Sequence, residues 1–199
     1  LEFELVPLRF EGVKIVVCNT GVKRGLVDSE YNARRSECER GVKILESFLP
    51  GITALRDTDI ADLEKYGDHL PEITEKRCVY VIKENNRVLE SVQALADDDL
   101  VRFGSLMNES HIGLRDGYEV SCPELDAMVE IAWSTDGVFG SRMTGAGFGG
   151  CTVTIALEEA VEELIKKVSE EYPKRTGLQP AIYVCRVEDG AGTIQLPCY

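Results

Sequence analysis

The fold turns on the stretch Val138-Phe139-Gly140-Ser141-Arg142-Met143, Gly145-Ala146-Gly147-Phe148-Gly149-Gly150 and Thr152-Val153-Thr154-Ile155. The first run is strand-like, six residues with four glycines follow, and the third run alternates apolar and polar as a strand does. A helical stripe of Val161, Leu164, Ile165, Val168 and Tyr172 comes next and is expected to stop near Pro173. Ala181-Ile182-Tyr183-Val184-Cys185 is the last strand pattern. Residues 138–187 thus read β-β-α-β, which predicts an α+β layer architecture with a mainly antiparallel sheet and helices packed on one side.

Gly145 to Gly150 also satisfies the pattern G-x-G-x-x-G. In a dinucleotide-binding unit a helix opens directly after the glycines, so that its N-terminus faces the pyrophosphate. Here Cys151-Thr152-Val153-Thr154-Ile155 continues as a strand, and no Gly-Lys-Ser/Thr of a Walker loop occurs in the chain. Three readings of the loop stay open: an anion-binding concavity of N–H groups, a place where another backbone approaches closely, or a tight hairpin.

Upstream, Phe3 to Leu8 and Val13 to Cys18 are β-rich and suggest a hairpin or two neighbouring strands, the second buried on both faces. A helix is expected from Asp28 to Leu49, a short one over 59–66, and a long one over 71–96. Asp97-Asp98-Asp99 ends the long helix and caps the next, whose stripe is Leu100, Phe103, Met107 and Leu114. Ser121-Cys122-Pro123-Glu124 has the form of a capping box with proline in the first turn. No repeat or long linker divides the 199 residues, so they read as one domain. A chain of this length buries roughly 70% of its unfolded surface and needs no metal or disulfide to hold a core.

The net charge of −13 repels phosphate backbones and argues against nucleic acid or anionic membrane as a partner. The seven cysteines include no C-x-x-C pair and stand beside only two histidines, which points to reduced thiols in a cytoplasmic setting and to no metal cluster. No apolar run reaches the ~18 residues of a membrane span. The chain opens on Leu1 rather than Met, as a cut or processed chain would.

Within this acidic chain Lys23, Arg24, Arg34, Arg35 and Arg40 form the densest basic region, at a strand end and a helix start. That placement suits a phosphate or sugar-phosphate ligand; it equally suits a solvated helix face paired with Glu37 and Glu39. Tyr31 falls in the first helical turns, where a phenol either packs in the core or points its hydroxyl at a ligand. Composition favours packing.

Three segments carry a resemblance. Asn19-Thr20-Gly21-Val22-Lys23 with Ser29-Glu30-Tyr31-Asn32-Ala33-Arg34-Arg35 resembles a galactokinase segment. Glu109-Ser110-His111, Leu114-Arg115-Asp116 and Tyr118 to Asp126 resemble another. Ser141-Arg142-Met143-Thr144-Gly145 through Val153 is similar to the third motif of the GHMP small-molecule kinases in its galactokinase form, with Ala146 where many members have glycine. The three occur in the family's order across the whole of 1–199, which is therefore identified as a GHMP-kinase C-terminal domain with a ferredoxin-like β-β-α-β part. The family's first motif, its serine-rich phosphate loop and its sugar-side aspartate have no counterpart in this chain.

The resemblance implies a cytoplasmic kinase that transfers the ATP γ-phosphate to the C1 hydroxyl of galactose with Mg²⁺. ATP and Mg²⁺ would be held mainly by a missing N-terminal kinase domain, so this half alone is expected to be inactive and to hold no catalytic residue or metal. It puts Tyr31 at the sugar, and Lys23, Gly145, Gly147, Gly149 and Gly150 near the phosphate. His111 is expected as a hydrogen-bonded core residue, and Asp116 and Asp126 as helix-end or interface groups. An N-acetylgalactosamine kinase, or a galactokinase-like sensor that binds sugar and ATP, are the alternatives.

Overall fold

A computed structural model describes residues 6–8, 10–22 and 27–187, the side chains of 27–29 apart. Among these residues four strands form one antiparallel sheet: β1 (Val13–Asn19), β2 (Val138–Thr144), β3 (Cys151–Leu157) and β4 (Ala181–Cys185), in the order β2-β3-β1-β4. The helices are α1 (Val27–Leu45), α2 (Ile60–Tyr66), α3 (Glu72–Ala96), α4 (Leu100–Ile112), α5 (Pro123–Trp133) and α6 (Val161–Thr176), with a π-helical segment over Gly113–Gly117. The expected β-β-α-β unit is β2-β3-α6-β4. Among the described residues no helix is long and apolar enough to cross a membrane.

Strand β1 fills the middle of the sheet: Ile15 stands opposite Ile155 on one side and Cys185 on the other. Both of its edges are therefore taken, and residues 6–8 form no strand against it; residues 1–5 lie outside the described part. Val16 and Cys18 pack against Met128, Ile131, Leu164, Val168 and Tyr172 of α5 and α6. On the opposite face Ile15 and Val17 are only half-buried. The expectation of burial on both faces fails there because α4 reaches only part of that face.

Helix α4 also corrects the layering. Leu100, Phe103 and Met107 pack with Ile155 and Val153, on the face away from α5 and α6. The same helix runs along the free edge of β2. Asn108 Oδ1 accepts the Ser141 N–H at 2.8 Å, and His111 Nδ1 accepts the Met143 N–H at 3.2 Å. Trp133 Nε1 donates to the Ser141 carbonyl at 3.2 Å. These side chains stand in for a missing neighbour strand, which an edge otherwise leaves unpaired. The fit depends on two glycines: a Cβ on Gly104 would sit 2.2 Å from the Phe139 carbonyl oxygen, and one on Gly140 would sit 2.2 Å from that of Gly104.

Two local expectations are also revised. Cys122, not Ser121, is the N-cap of α5 and makes no side-chain cap bond. Ser121 Oγ instead donates to Asp126 Oδ1 at 2.5 Å. Helix α6 continues past Pro173 to Thr176 and ends on left-handed Gly177, since a proline in the last turn loses one bond without stopping the residues after it.

Two arginines hold the turn that leads from the π segment into α5. Arg77 of α3, only 2% exposed, donates from Nη1 to the Gly117 carbonyl at 2.6 Å. Its Nε reaches Glu37 Oε2 at 3.0 Å and its Nη2 reaches Glu119 Oε2 at 2.6 Å. Arg34 of α1 donates from Nε to the Tyr118 carbonyl at 2.7 Å and from Nη2 to that of Glu119 at 3.0 Å. Lys76 and Arg77 together hold the Glu119 carboxyl down to about 2, from 4.5.

Two outcomes follow from these contacts. Gly104→Ala forces α4 off β2 and is expected to cost about 2 kcal/mol, a drop of roughly 4–8 °C in the thermal midpoint; an unchanged midpoint contradicts the contact. Because the Glu119 carboxyl is depressed in the fold, its contribution is complete above pH 4.5 and lost as pH falls through about 2. The midpoint difference between wild type and Glu119→Gln should be largest above pH 4.5 and vanish near pH 2.

Candidate functional site

The glycine loop joins β2 to β3, and five of its six residues have positive φ: Gly145 (86°), Gly147 (88°), Phe148 (57°), Gly149 (121°) and Gly150 (94°). Phe148 is the residue that pays for this shape, since a left-handed conformation costs a side-chain-bearing residue roughly 1–3 kcal/mol. Neighbours on two sides hold it. The Phe148 N–H donates to the Val120 carbonyl at 2.8 Å, and the ring packs with Tyr80, Leu114, Leu125 and Met143. From the other side Thr20 donates both its N–H and its hydroxyl to the Gly150 carbonyl, each at 2.8 Å.

The glycines admit these neighbours. A Cβ on Gly147 would lie 2.1 Å from the Val120 carbonyl oxygen, and one on Gly149 would lie 2.9 Å from Val22 Cγ1. Close backbone approach is thus one use of the loop. It leaves the anion-binding use open, because of the loop's amides only that of Phe148 meets an acceptor among the described residues.

The end of β1 is itself well ordered by hydrogen bonds. Asn19 Oδ1 accepts the Gly21 N–H at 2.9 Å, and the Tyr172 hydroxyl of α6 donates to the Thr20 carbonyl at 2.8 Å. Val22, the last residue before Lys23, touches Gly149. Lys23 and Arg24 lie outside the described residues.

Tyr31 does not pack in the core. It is 54% exposed and lines a cleft of about 500 Å³ with Arg35, Cys38, Thr53, Asn85 and Tyr118 among others. Burial pushes the Cys38 thiol up, so it is not a ready nucleophile. The other basic residues divide: Arg35 pairs with Glu39 at 2.8 Å on an exposed face, whereas Arg34 engages the turn described above. No residue of the glycine loop lines the cleft that holds Tyr31. They lie on either side of the Gly117–Val120 turn, with Tyr118 in the cleft and Val120 on the loop.

His111 is the core residue expected. It is 1% exposed, its Nδ1 accepts from Met143, and the proton this leaves on Nε2 faces Asp126 Oδ1 at 3.3 Å, short of a full hydrogen bond. Asp126 is a helix-start group bonded to Ser121, and Asp116 pairs with Arg115 at 2.8 Å. Among the described residues no group of three or more His, Cys, Asp or Glu could hold a metal ion.

Arg77, Glu119 and Asn108 were not singled out from sequence. A signal existed for Arg77 alone: it lies three residues from Thr74 and four from Val81, on the row of α3 that faces α1. Nothing in the sequence marks Glu119, at φ 55°, as left-handed, since glycine or asparagine is the usual sign.

Comparison with known proteins agrees with this geometry. Residues 91–174 match the family described as GHMP kinases C terminal. The chain is 43% identical over 98% of its length to a galactokinase of Fusobacterium nucleatum, covering 50% of that protein. It is 41% identical over 96% of its length to one of Bacillus subtilis, covering 49%. The chain thus spans about half the length of the curated relatives it matches. Among solved structures, Lactococcus lactis galactokinase complexed with galactose matches 98% of this chain and 50% of its own, with TM-score 0.91 and 33% identity. A mevalonate kinase of L. major, at TM-score 0.52 and 20% identity, shares the fold alone. Residues 91–174 thus match the C-terminal family of the GHMP kinases, within a chain that is similar over 98% of its length to half of a galactokinase.

Proposed function

We propose that the chain is the C-terminal half of a sugar kinase that phosphorylates the C1 hydroxyl of galactose. The observation that carries this reading is the 98% coverage at TM-score 0.91 of a galactokinase complexed with galactose. In the reaction the C1 oxygen bonds to the γ-phosphorus of ATP and the bond to the β,γ-bridging oxygen breaks. ADP leaves, and the hydroxyl proton passes to a base of the other half. The protein's task in such a transfer is to position the reactants and stabilise charge on the phosphoryl group.

Two features of this chain serve that task. Tyr31, exposed at its cleft, offers a hydroxyl to the sugar. Gly145, Gly147, Gly149 and Gly150 keep the loop close against its neighbours while its remaining amides stay free for phosphate oxygens among the described residues. In this reading Lys23 adds a positive charge near the transferred phosphate, as a point charge rather than a fork. ATP supplies the phosphoryl group and Mg²⁺ neutralises its charge. In this reading both ligands are held chiefly by an N-terminal half.

Kinetics on the longer protein separate these roles. Tyr31→Phe removes one hydrogen bond to a neutral sugar, so KM for galactose should rise about 3–10-fold with kcat little changed. Gly147→Ala displaces the loop and should lower kcat at least tenfold while KM for galactose holds. The 199-residue chain alone should form no galactose 1-phosphate. A Tyr31→Phe protein with wild-type KM, or turnover by the chain alone, overturns the assignment it tests.

A further inference from the structure

The sugar cleft and the glycine loop share one wall, the Gly117–Val120 turn, and that turn is held by side chains from outside it. Of the three non-glycine residues with positive φ among those described, Glu119 lies in this turn and Phe148 in the loop it touches. Strain gathered at one junction persists only where surrounding contacts over-determine it, and such junctions cluster at working sites. Here the contacts can be named. Arg77 takes the Gly117 carbonyl and the Glu119 carboxylate, and Arg34 takes the carbonyls of Tyr118 and Glu119. Lys76 closes on Glu119 from the next position of α3.

We propose that Arg77, acting with Arg34, is a positioning residue for phosphoryl transfer: it fixes the turn so that the Val120 carbonyl holds the Phe148 N–H and sets the glycine loop. The inference rests on the reading that this loop lies beside the transferred phosphate. The transmission has no slack. The Val120 oxygen is 2.8 Å from Phe148 N and would be 2.1 Å from a Cβ on Gly147, so the turn and the loop are in backbone contact. A shift of the turn moves the loop with it.

The role demands arginine. Arg77 places three different nitrogens on three acceptors from two elements, Glu37 in α1 and Gly117 and Glu119 in the turn. A lysine ammonium keeps the charge but has no planar fork to span them. A brace between helices alone would need only Glu37, and two of the three contacts go to the turn instead.

Arg77→Lys and Arg34→Lys test this in two ways. In the longer protein both should lower kcat about 10- to 100-fold with KM for galactose within about threefold of wild type. In the 199-residue chain amide exchange at Phe148 should quicken at least about tenfold while Val16 and Ile155 keep their protection. Arg34 lies nearer the surface than Arg77, so its variant keeps the test alive should Arg77→Lys fail to fold. Unchanged Phe148 exchange in the Arg34→Lys chain, or an unchanged kcat in a longer protein that does phosphorylate galactose, overturns the proposal. A longer protein that phosphorylates no sugar overturns the functional reading instead, and the exchange result then decides whether the arginines set the loop.

Discussion

The hydrogen bond from Phe148 N–H to the Val120 carbonyl ties the glycine loop of the sheet to a turn held by the helices. Behind Val120 stand the helices: Leu45, Leu55, Leu63, Leu70, Cys78 and Ile82 form a cluster among α1, α2 and α3 that does not touch the sheet. Behind Phe148 stands the sheet, with α5 and α6 against Val16, Cys18 and Ala156. Between them Tyr80, Leu114, Val120, Leu125 and Met143 make a small apolar joint, and Phe148 is packed into it. A hydrogen bond of this kind contributes only about 1 kcal/mol net. Its importance is geometric, because it fixes the position of one backbone against another where apolar packing alone would allow sliding.

Burying Arg77 to supply that geometry is costly in itself, since a charge taken out of water must recover its hydration from partners. The partners recover it in part by being two carboxylates and a carbonyl, and in part by leaving Glu119 open to solvent. Arg34 repeats the pattern at lower burial, with two carbonyls ahead of it and Glu30 and Glu37 at 3.7 and 3.8 Å behind. The turn is therefore held by charge-assisted bonds to its backbone, which specify position more sharply than exposed ion pairs such as Arg35–Glu39 can.

What the sequence disclosed and what it hid divide along a physical line. Periodicity reports which face of an element is apolar, so β2, β3, α6, β4 and the long α3 were all legible from spacing. It does not report which strands become neighbours. Val13–Cys18 looked like half of a hairpin with the residues before it, whereas its partners β3 and β4 begin more than 130 residues later. The alternation of β3 likewise could not say that Asn108 and His111 would take the place of a strand beside β2. At the site, the glycines announced a loop of unusual conformation, but the devices that hold it are ordinary residues in unusual settings: a buried arginine and a left-handed glutamate. Tyr31 shows the converse. Composition favoured a packed ring, whereas the structure leaves Tyr31 54% exposed at its cleft.

The distribution of charge follows from the same arrangement. Read from sequence, Lys23, Arg24, Arg34, Arg35 and Arg40 formed one basic cluster suited to phosphate. In the structure Arg34 is engaged with backbone carbonyls and flanked by Glu30 and Glu37, and Arg35 is paired with Glu39. Neither presents net charge to a ligand at the loop. In the proposed function the arginines that hold the turn and a cation that meets phosphate are different residues, and this separation has a reason. A guanidinium committed to two carbonyls cannot swing to a transferring phosphoryl group without releasing the turn that positions the loop. On the proposed reading a chain of net charge −13 can still serve a phosphate site, because loop amides that meet no acceptor among the described residues carry no formal charge and keep their direction through the backbone alone.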